Sequence, residues 1–234
     1  MLPQPVRADL TETLRDYWLK RAAQHTGDSY AGLGMSKFPE DLRVYEHLLW
    51  ESGATAVIEI GSYLGGSALW FRDRLAAFAR YRPGPPPFVV SIDIDIDAAR
   101  RGIAGVDPSF ADSIALVEAG VGDPGLAEQV EALLPPGSRC LVTEDSGHVY
   151  ETTRPSLEAF ARFVPPGGFF VVEDGCVDIE EMRFSDDWPR GVLPALHDWL
   201  ATPAGAAFRV RRELELYGIS CHPEGFLQRL PEPA

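Results

Sequence analysis

The stretch Val57–Ser67, VIEIGSYLGGS, constrains the chain most strongly. Ala56-Val57-Ile58 is an apolar run with β-branched members and reads as a strand. It runs into an acid, Glu59, and then into a turn holding Gly61, Gly65 and Gly66. From Ser67 the apolar residues recur at helical spacing through SALWFRDRLAAFA. A strand, a glycine turn and a helix start make a nucleotide-type cradle. Glycines let the backbone approach a ligand, and a helix N-terminus offers unpaired N–H groups at the positive end of its dipole. The order E-x-G-x-x-x-G-G-S departs from the dinucleotide pattern G-x-G-x-x-G. A plain βα connection shaped by glycines would look the same, so the downstream residues have to decide.

With 234 residues the chain is long enough for one α/β unit with extensions and a large core. A net charge of -14 disfavours nonspecific binding to nucleic acid or to an anionic membrane surface, so neither is expected as a partner. Cys140, Cys176 and Cys221 are scattered without metal-ligand spacing, which suits a reducing compartment. No apolar run reaches membrane-spanning length, and the N-terminal residues lack a signal-peptide apolar core. A cytoplasmic location is the expectation.

Two helices are expected ahead of the first strand. One covers residues 9–25 with Thr11 as its cap; the other runs from Glu40 to about Trp50 and ends at Gly53. Tyr30–Pro39 between them reads as glycine-broken loop. Residues 1–52 are therefore an N-terminal helical lid or extension, and 53–234 a single structural unit. The two helices would cover a sheet edge, wall a substrate or meet a second copy; a homo-oligomer is expected.

Beyond the first helix, RPGPPP breaks the chain. Phe88–Ile92 is a second strand ending in Asp93, later than the roughly 20-residue spacing of a dinucleotide unit because the proline loop lengthens the crossover. An acid there is placed to accept ribose hydroxyls. Ile114–Glu118 is a third strand followed by Gly122 and Asp123, and the fourth leads into Glu144-Asp145. The fifth, Phe169–Val172, leads into Glu173-Asp174. Residues 177–191 read as polar loop, 192–203 as helix, and FRVRREL and LYGISCHPEGFLQRL as two last strands. The fold class is thus α/β, Rossmann-like, mostly parallel with one antiparallel strand.

Ligands of open α/β sheets sit beyond the strands' carboxyl ends. Asp145, Glu173 and Asp174 fall there. Three converging carboxylates repel unless a cation joins them, and hard oxygen ligands suit Mg²⁺ or another divalent cation. Adjacent residues of a straight strand face opposite ways, so Glu173 and Asp174 both ligate only if the chain turns, which Gly175 permits. His148, three positions past Asp145, suits a general base near neutral pH. His25, His47, His197 and His222 have no such neighbours in sequence and read as surface or core residues.

The glycine stretch resembles motif I of class I S-adenosylmethionine (SAM) methyltransferases. MSKFPEDLRVY, IEIGSYLGGSALWF, VSIDIDI, EDSGH, PPGGFFVVED and PEGFLQRL together resemble the cephalosporin hydroxylase/rhamnosyl O-methyltransferase family over roughly residues 30–230. The resemblance implies a class I methyltransferase sheet and SAM bound at Glu59, Gly61, Ser62, Tyr63, Gly65 and Ser67. It puts Asp93 on the ribose and Gly122 and Asp123 beside the adenine. It implies a divalent metal at Asp145, Glu173 and Asp174, with Asp145 and His148 carrying the catalysis. A more distant likeness to catechol-type O-methyltransferases puts a lysine base where this chain has His148. The implied reaction is metal-dependent methyl transfer to a hydroxyl of a small natural product or sugar in secondary metabolism, such as antibiotic biosynthesis. A hydroxylase-type component and a non-catalytic SAM-binding subunit are the alternatives. Lys37, Tyr30 and Trp188 are candidate acceptor contacts; VTED leaves Glu144 without a role.

Overall fold

A computed structural model describes residues 3–7 and 9–231. Helix α1 spans Leu14–His25 rather than beginning near residue 9. Asp9 Oδ1 accepts from the Thr11 amide at 2.9 Å and holds a turn there, and Thr13 caps the helix by accepting from the Asp16 amide. The expected loop contains a small hairpin, β1 (Ser29–Tyr30) and β2 (Leu33–Gly34). Its two central residues, Ala31 and Gly32, both have positive φ, the twist that tight hairpins favour. Helix α2 (Pro39–Ser52) starts on a proline whose missing N–H costs nothing in the first turn, and stops at left-handed Gly53.

The alternation then begins: β3 (Ala56–Ile60), α3 (Gly66–Ala79), β4 (Phe88–Asp93), α4 (Asp97–Val106), β5 (Ile114–Glu118) and α5 (Leu126–Leu133). It continues with β6 (Cys140–Glu144), α6 (Tyr150–Phe160), β7 (Phe169–Val172), α7 (Val192–Leu200), β8 (Phe208–Val210) and β9 (Phe226–Arg229). Seven strands form one sheet in the order β5-β4-β3-β6-β7-β9-β8. The first five are parallel, and β9 alone runs against its neighbours β7 and β8. This is the expected mostly parallel Rossmann-like sheet with one antiparallel strand.

Alternate strand residues feed two cores. Ala56, Ile58, Ile60, Val142 and Phe170 pack with Trp18 of α1, Phe160 of α6 and Trp199 of α7. Val57, Val89, Leu141 and Val171 face Tyr45 and Leu48 of α2 and Leu69 and Phe71 of α3. The N-terminal helices therefore belong to opposite faces of the sheet. Phe71 and Phe160 are fully buried, and burying such a side chain stabilises by about 1.5–3 kcal/mol. The order in which the strands are added switches to the other side of β3 at β6, so the carboxyl ends there open a crevice.

The last third departs from expectation. Most of residues 211–225 form a loop instead of strand, with Ser220, Cys221 and His222 buried. Buried Asp41 of α2 captures this loop, accepting from Ser220 Oγ at 2.7 Å and from the Cys221 amide at 3.0 Å. No described helix is long and apolar enough to cross a membrane.

Candidate active site

A cavity of about 640 Å³ lies at the carboxyl ends of β3, β4, β5, β6 and β7. One wall is the glycine turn: Gly61, Tyr63, Asp93 and Gly122 border the space. Gly61 has φ +106°, and a Cβ there would collide with the Asp145 carbonyl oxygen. This residue thus joins the two halves of the site by close backbone approach. Asp93 Oδ2 accepts from the amides of Ser62 at 2.8 Å and Tyr63 at 3.2 Å, tying the turn to the end of β4.

Five residues expected on the cofactor do not border the cavity. Glu59 lies on the β3 face shared with Val57 and is fully buried. Its Oε2 accepts from Ser91 Oγ at 2.5 Å, and burial raises its pKa. Ser62 is buried against the same Ser91 hydroxyl at 2.7 Å. Gly65 caps α3 against Ile103, and Ser67 is buried in the first turn of that helix. These groups shape the turn from beneath. Asp123 likewise braces its own loop, accepting from the Gly120 amide at 2.8 Å, while Gly122 faces the space.

The opposite wall carries Asp145, Ser146, His148 and Asp174. Asp145, His148 and Asp174 offer ligand atoms that all lie within 4.8 Å of one another. His148 Nε2 is 3.6 Å from Asp174 Oδ2, and its buried Nδ1 has no partner among the described residues. The chain turns at Asp174 itself, with φ +56°, and not at Gly175. His148 is also left-handed, at φ +55°. Such conformations cost about 1–3 kcal/mol each and persist where the surroundings enforce them.

That turn points Glu173 and Asp174, two of the three carboxylates expected to hold a cation, in different directions. Glu173 points inward, and its oxygens take Lys37 Nζ at 2.6 and 2.7 Å. Tyr45 Oη and Thr143 Oγ1 each donate to Oε1 at 2.6 Å, and His222 Nε2 lies 3.3 Å from Oε2. Lys37 reaches on to Asp145 Oδ2 at 2.8 Å. Burial disfavours the charged lysine, but Asp145 and Glu173 outweigh it and raise its pKa. Burial would also raise Glu173; Lys37 and His222 prevail and hold it at about 2. Asp145 lacks that surplus of partners, and burial together with the Glu173 charge pushes it up to about 7.

Residues 23–230 match the model of the Rhamnosyl O-methyltransferase/CmcI family. The chain belongs to that family. A rhamnosyl O-methyltransferase of Mycobacterium leprae is 29% identical over 151 residues, covering 62% of this chain and 59% of that protein. Its counterpart in Mycobacterium tuberculosis (strain ATCC 25618 / H37Rv) is 26% identical over 157 residues, covering 65% and 59%. The match thus spans less than two thirds of these relatives' length. Among solved structures, CmcI with Mg and SAM superposes with a TM-score of 0.62 at 20% identity, covering 99% of this chain and 90% of that one. An O-methyltransferase from Bacillus cereus in complex with SAH gives 0.56 at 15% identity, covering 93% and 91%. At these identities the likeness is one of fold, the Rossmann-like class I methyltransferase architecture.

Family membership leaves the individual side chains to be read from the geometry. Trp188 borders the cavity, as an acceptor contact would. Tyr30 instead donates to Asp73 at 2.8 Å, away from it. Lys37 is buried in the charge cluster. Glu144 accepts from the Ser146 amide at 3.2 Å and from Thr153 Oγ1 at 3.2 Å, so it fastens the His148 loop to α6. Two histidines escaped the sequence reading. His25 borders the cavity and stacks on Phe38 with centroids 4.6 Å apart. His222 is buried beside Glu173, with Pro223 and Gly225 as the only local sign that its segment leaves the sheet.

Proposed function

We propose that this protein transfers the methyl group of SAM to a hydroxyl oxygen of a small natural product or sugar, with a divalent cation as cofactor. The single observation that supports this most is the shared cavity: a glycine turn with a strand-end aspartate forms one wall, and two carboxylates with a histidine form the other. SAM and Mg²⁺ are named together for a CmcI structure of the same fold. Rhamnosyl O-methyltransferase is the name of the relatives.

In this reading the donor lies along Gly61, Tyr63, Asp93 and Gly122. Asp93 keeps acceptor capacity for ribose hydroxyls while its Oδ2 holds the turn. Glu59, Ser62, Gly65 and Ser67 fix the shape of the turn, and Asp123 fixes the loop beside it. Asp145 and Asp174 are the carboxylates whose hard oxygens fit a divalent cation. When bound, such an ion lowers the pKa of a hydroxyl as a Lewis acid. His148, whose Nε2 faces Asp174, is the general base for the hydroxyl proton. Holding both reactants in line accounts for up to about 7–11 kcal/mol of the barrier. His25, Met35, Ser36 and Trp188 wall the acceptor end and shield it from water. The hydroxylase alternative needs two histidines beside a carboxylate, and the cluster in this cavity has one.

The test is methyl incorporation from labelled SAM into a panel of sugar and polyketide hydroxyls, with and without EDTA, beside calorimetry with S-adenosylhomocysteine. Turnover that EDTA removes and Mg²⁺ restores supports the proposal. Donor binding with no turnover on any acceptor favours the non-catalytic subunit, and metal-independent turnover rejects the cation's role.

A further inference from the structure

His25 is the last residue of α1, and it is held at the rim of the cavity from two sides. Its ring stacks on Phe38 with an interplanar angle of 28°, and Phe38 stacks on Trp18 with centroids 5.1 Å apart. Trp18 Nε1 donates to the Met182 carbonyl at 2.7 Å. The neighbouring Arg183 guanidinium donates to the carbonyls of Ser185 at 3.0 Å and Trp188 at 2.7 Å. The end of α1 and the loop that carries Trp188 are therefore fastened together. The ring's edge sets its chemistry. Nδ1 meets the Ala22 carbonyl, which only accepts, so Nδ1 carries a proton. Burial disfavours a second proton and lowers the ring's pKa. A neutral ring protonated at Nδ1 keeps a lone pair on Nε2. That nitrogen has no hydrogen-bond partner among the described residues, and unlike His148 Nδ1 it is not sealed away.

We propose that His25 is a specificity-determining residue: its Nε2 accepts a hydrogen bond from a second hydroxyl of the methyl acceptor, so the site takes molecules with two or more hydroxyls over those with one. The inference rests on the reading that this cavity methylates a small hydroxylated molecule. Met35 and the Trp188 ring give the same end of the cavity largely apolar surface. The Ser36 hydroxyl there can donate or accept and so discriminates little, whereas a ring lone pair accepts and nothing else. A site that expects a donor rejects the analogue lacking it, because its own polar group is then left unpaired. The bond also selects which of several hydroxyls is presented for methylation.

Methyl glycosides with their monodeoxy analogues, and catechol with phenol, serve as acceptors, and circular dichroism checks that each variant is folded. His25→Phe keeps a ring on Phe38 and removes Nε2. It should raise the acceptor KM about tenfold, with kcat and S-adenosylhomocysteine affinity within about threefold of wild type. His25→Gln, whose amide reaches the position of Nε2, should recover most of that loss; His25→Asn, whose amide reaches only that of Nδ1, should not. The analogue lacking the donating hydroxyl should cost wild type about tenfold and His25→Phe nothing further, and the cycle identifies that hydroxyl. His25→Asn takes the place of His25→Phe in the cycle if the latter fails to fold. In ¹⁵N spectra of the free protein His25 should be protonated at Nδ1 alone, and a proton on Nε2 overturns the proposal. An unchanged KM in His25→Phe, or equal defects in the Gln and Asn variants, overturns it too. So does a loss of S-adenosylhomocysteine affinity as large as the rise in KM, which would set the ring against the donor. Wild-type protein with no turnover on either set of acceptors sinks the methyl-transfer reading and this inference with it; a variant with wild-type KM sinks the inference alone.

Discussion

The glycine turn after β3 and the carboxylate cluster after β6 and β7 face one cavity, but they are assembled differently. The turn is local: Gly61, Ser62, Tyr63 and Gly65 are neighbours in sequence, and one distant carboxylate, Asp93, pins their amides. The cluster is collected from across the chain. Lys37 meets Asp145 over 108 residues and Glu173 over 136, and His222 arrives from the far end. The turn works through backbone shape, the cluster through balanced charge. Damage to the first should therefore change fold and donor binding together, while damage to the second should change chemistry with little effect on the donor.

The largest expected effect comes where the regions touch. Gly61→Ala pushes a methyl group into the Asp145 carbonyl. It should cost about 2–3 kcal/mol in urea melts and weaken S-adenosylhomocysteine at least tenfold by calorimetry. Unchanged values would mean that the two halves are not in contact. Next, Asp145→Asn should lower metal-stimulated turnover about 100-fold or more with donor affinity within about threefold. Equal loss of both would erase the division between the walls. Asp93→Ala should do the reverse, weakening the donor about tenfold and sparing Mn²⁺ binding. Unchanged donor affinity would remove Asp93 from the cradle.

The smallest effect serves as a control away from both regions. Asp107 is held at about 2 by hydrogen bonds from Ser109 and Arg72. A carboxylate whose folded pKa is depressed stabilises fully above its unfolded value and loses that contribution as pH falls through the folded one. The stability difference between wild type and Asp107→Asn should therefore be constant at neutral pH and vanish between about pH 4 and pH 2. Turnover at pH 7 should not change. A turnover defect in this variant would show that the assay reads stability, not chemistry.

Locality also explains what could be read from the residues alone. The third and fifth strands of the sequence reading coincide with β5 and β7, because short apolar runs bounded by glycines and prolines fix their own ends. The glycine turn and the positions of Asp145 and Asp174 at strand ends were legible for the same reason. The partners of Glu173 were not. Nothing near Lys37 in SKFPEDL announces an ammonium buried on a carboxylate far along the chain, since that pairing depends on which face of the sheet α2 covers. ISCHPEG reads as strand and turn, and only capture by Asp41 makes it a buried loop that delivers His222. Thr11 lost the cap to Thr13 through one local contest, the Asp9 turn.

Both walls have to serve one reaction, and a distance measurement probes that directly. With ¹³C-methyl SAM bound and Mn²⁺ added, the methyl resonance should broaden strongly in wild-type protein and recover in Asp145→Asn. A methyl signal that stays sharp with both donor and Mn²⁺ bound would put the ion elsewhere and contradict a shared cavity for donor and cation.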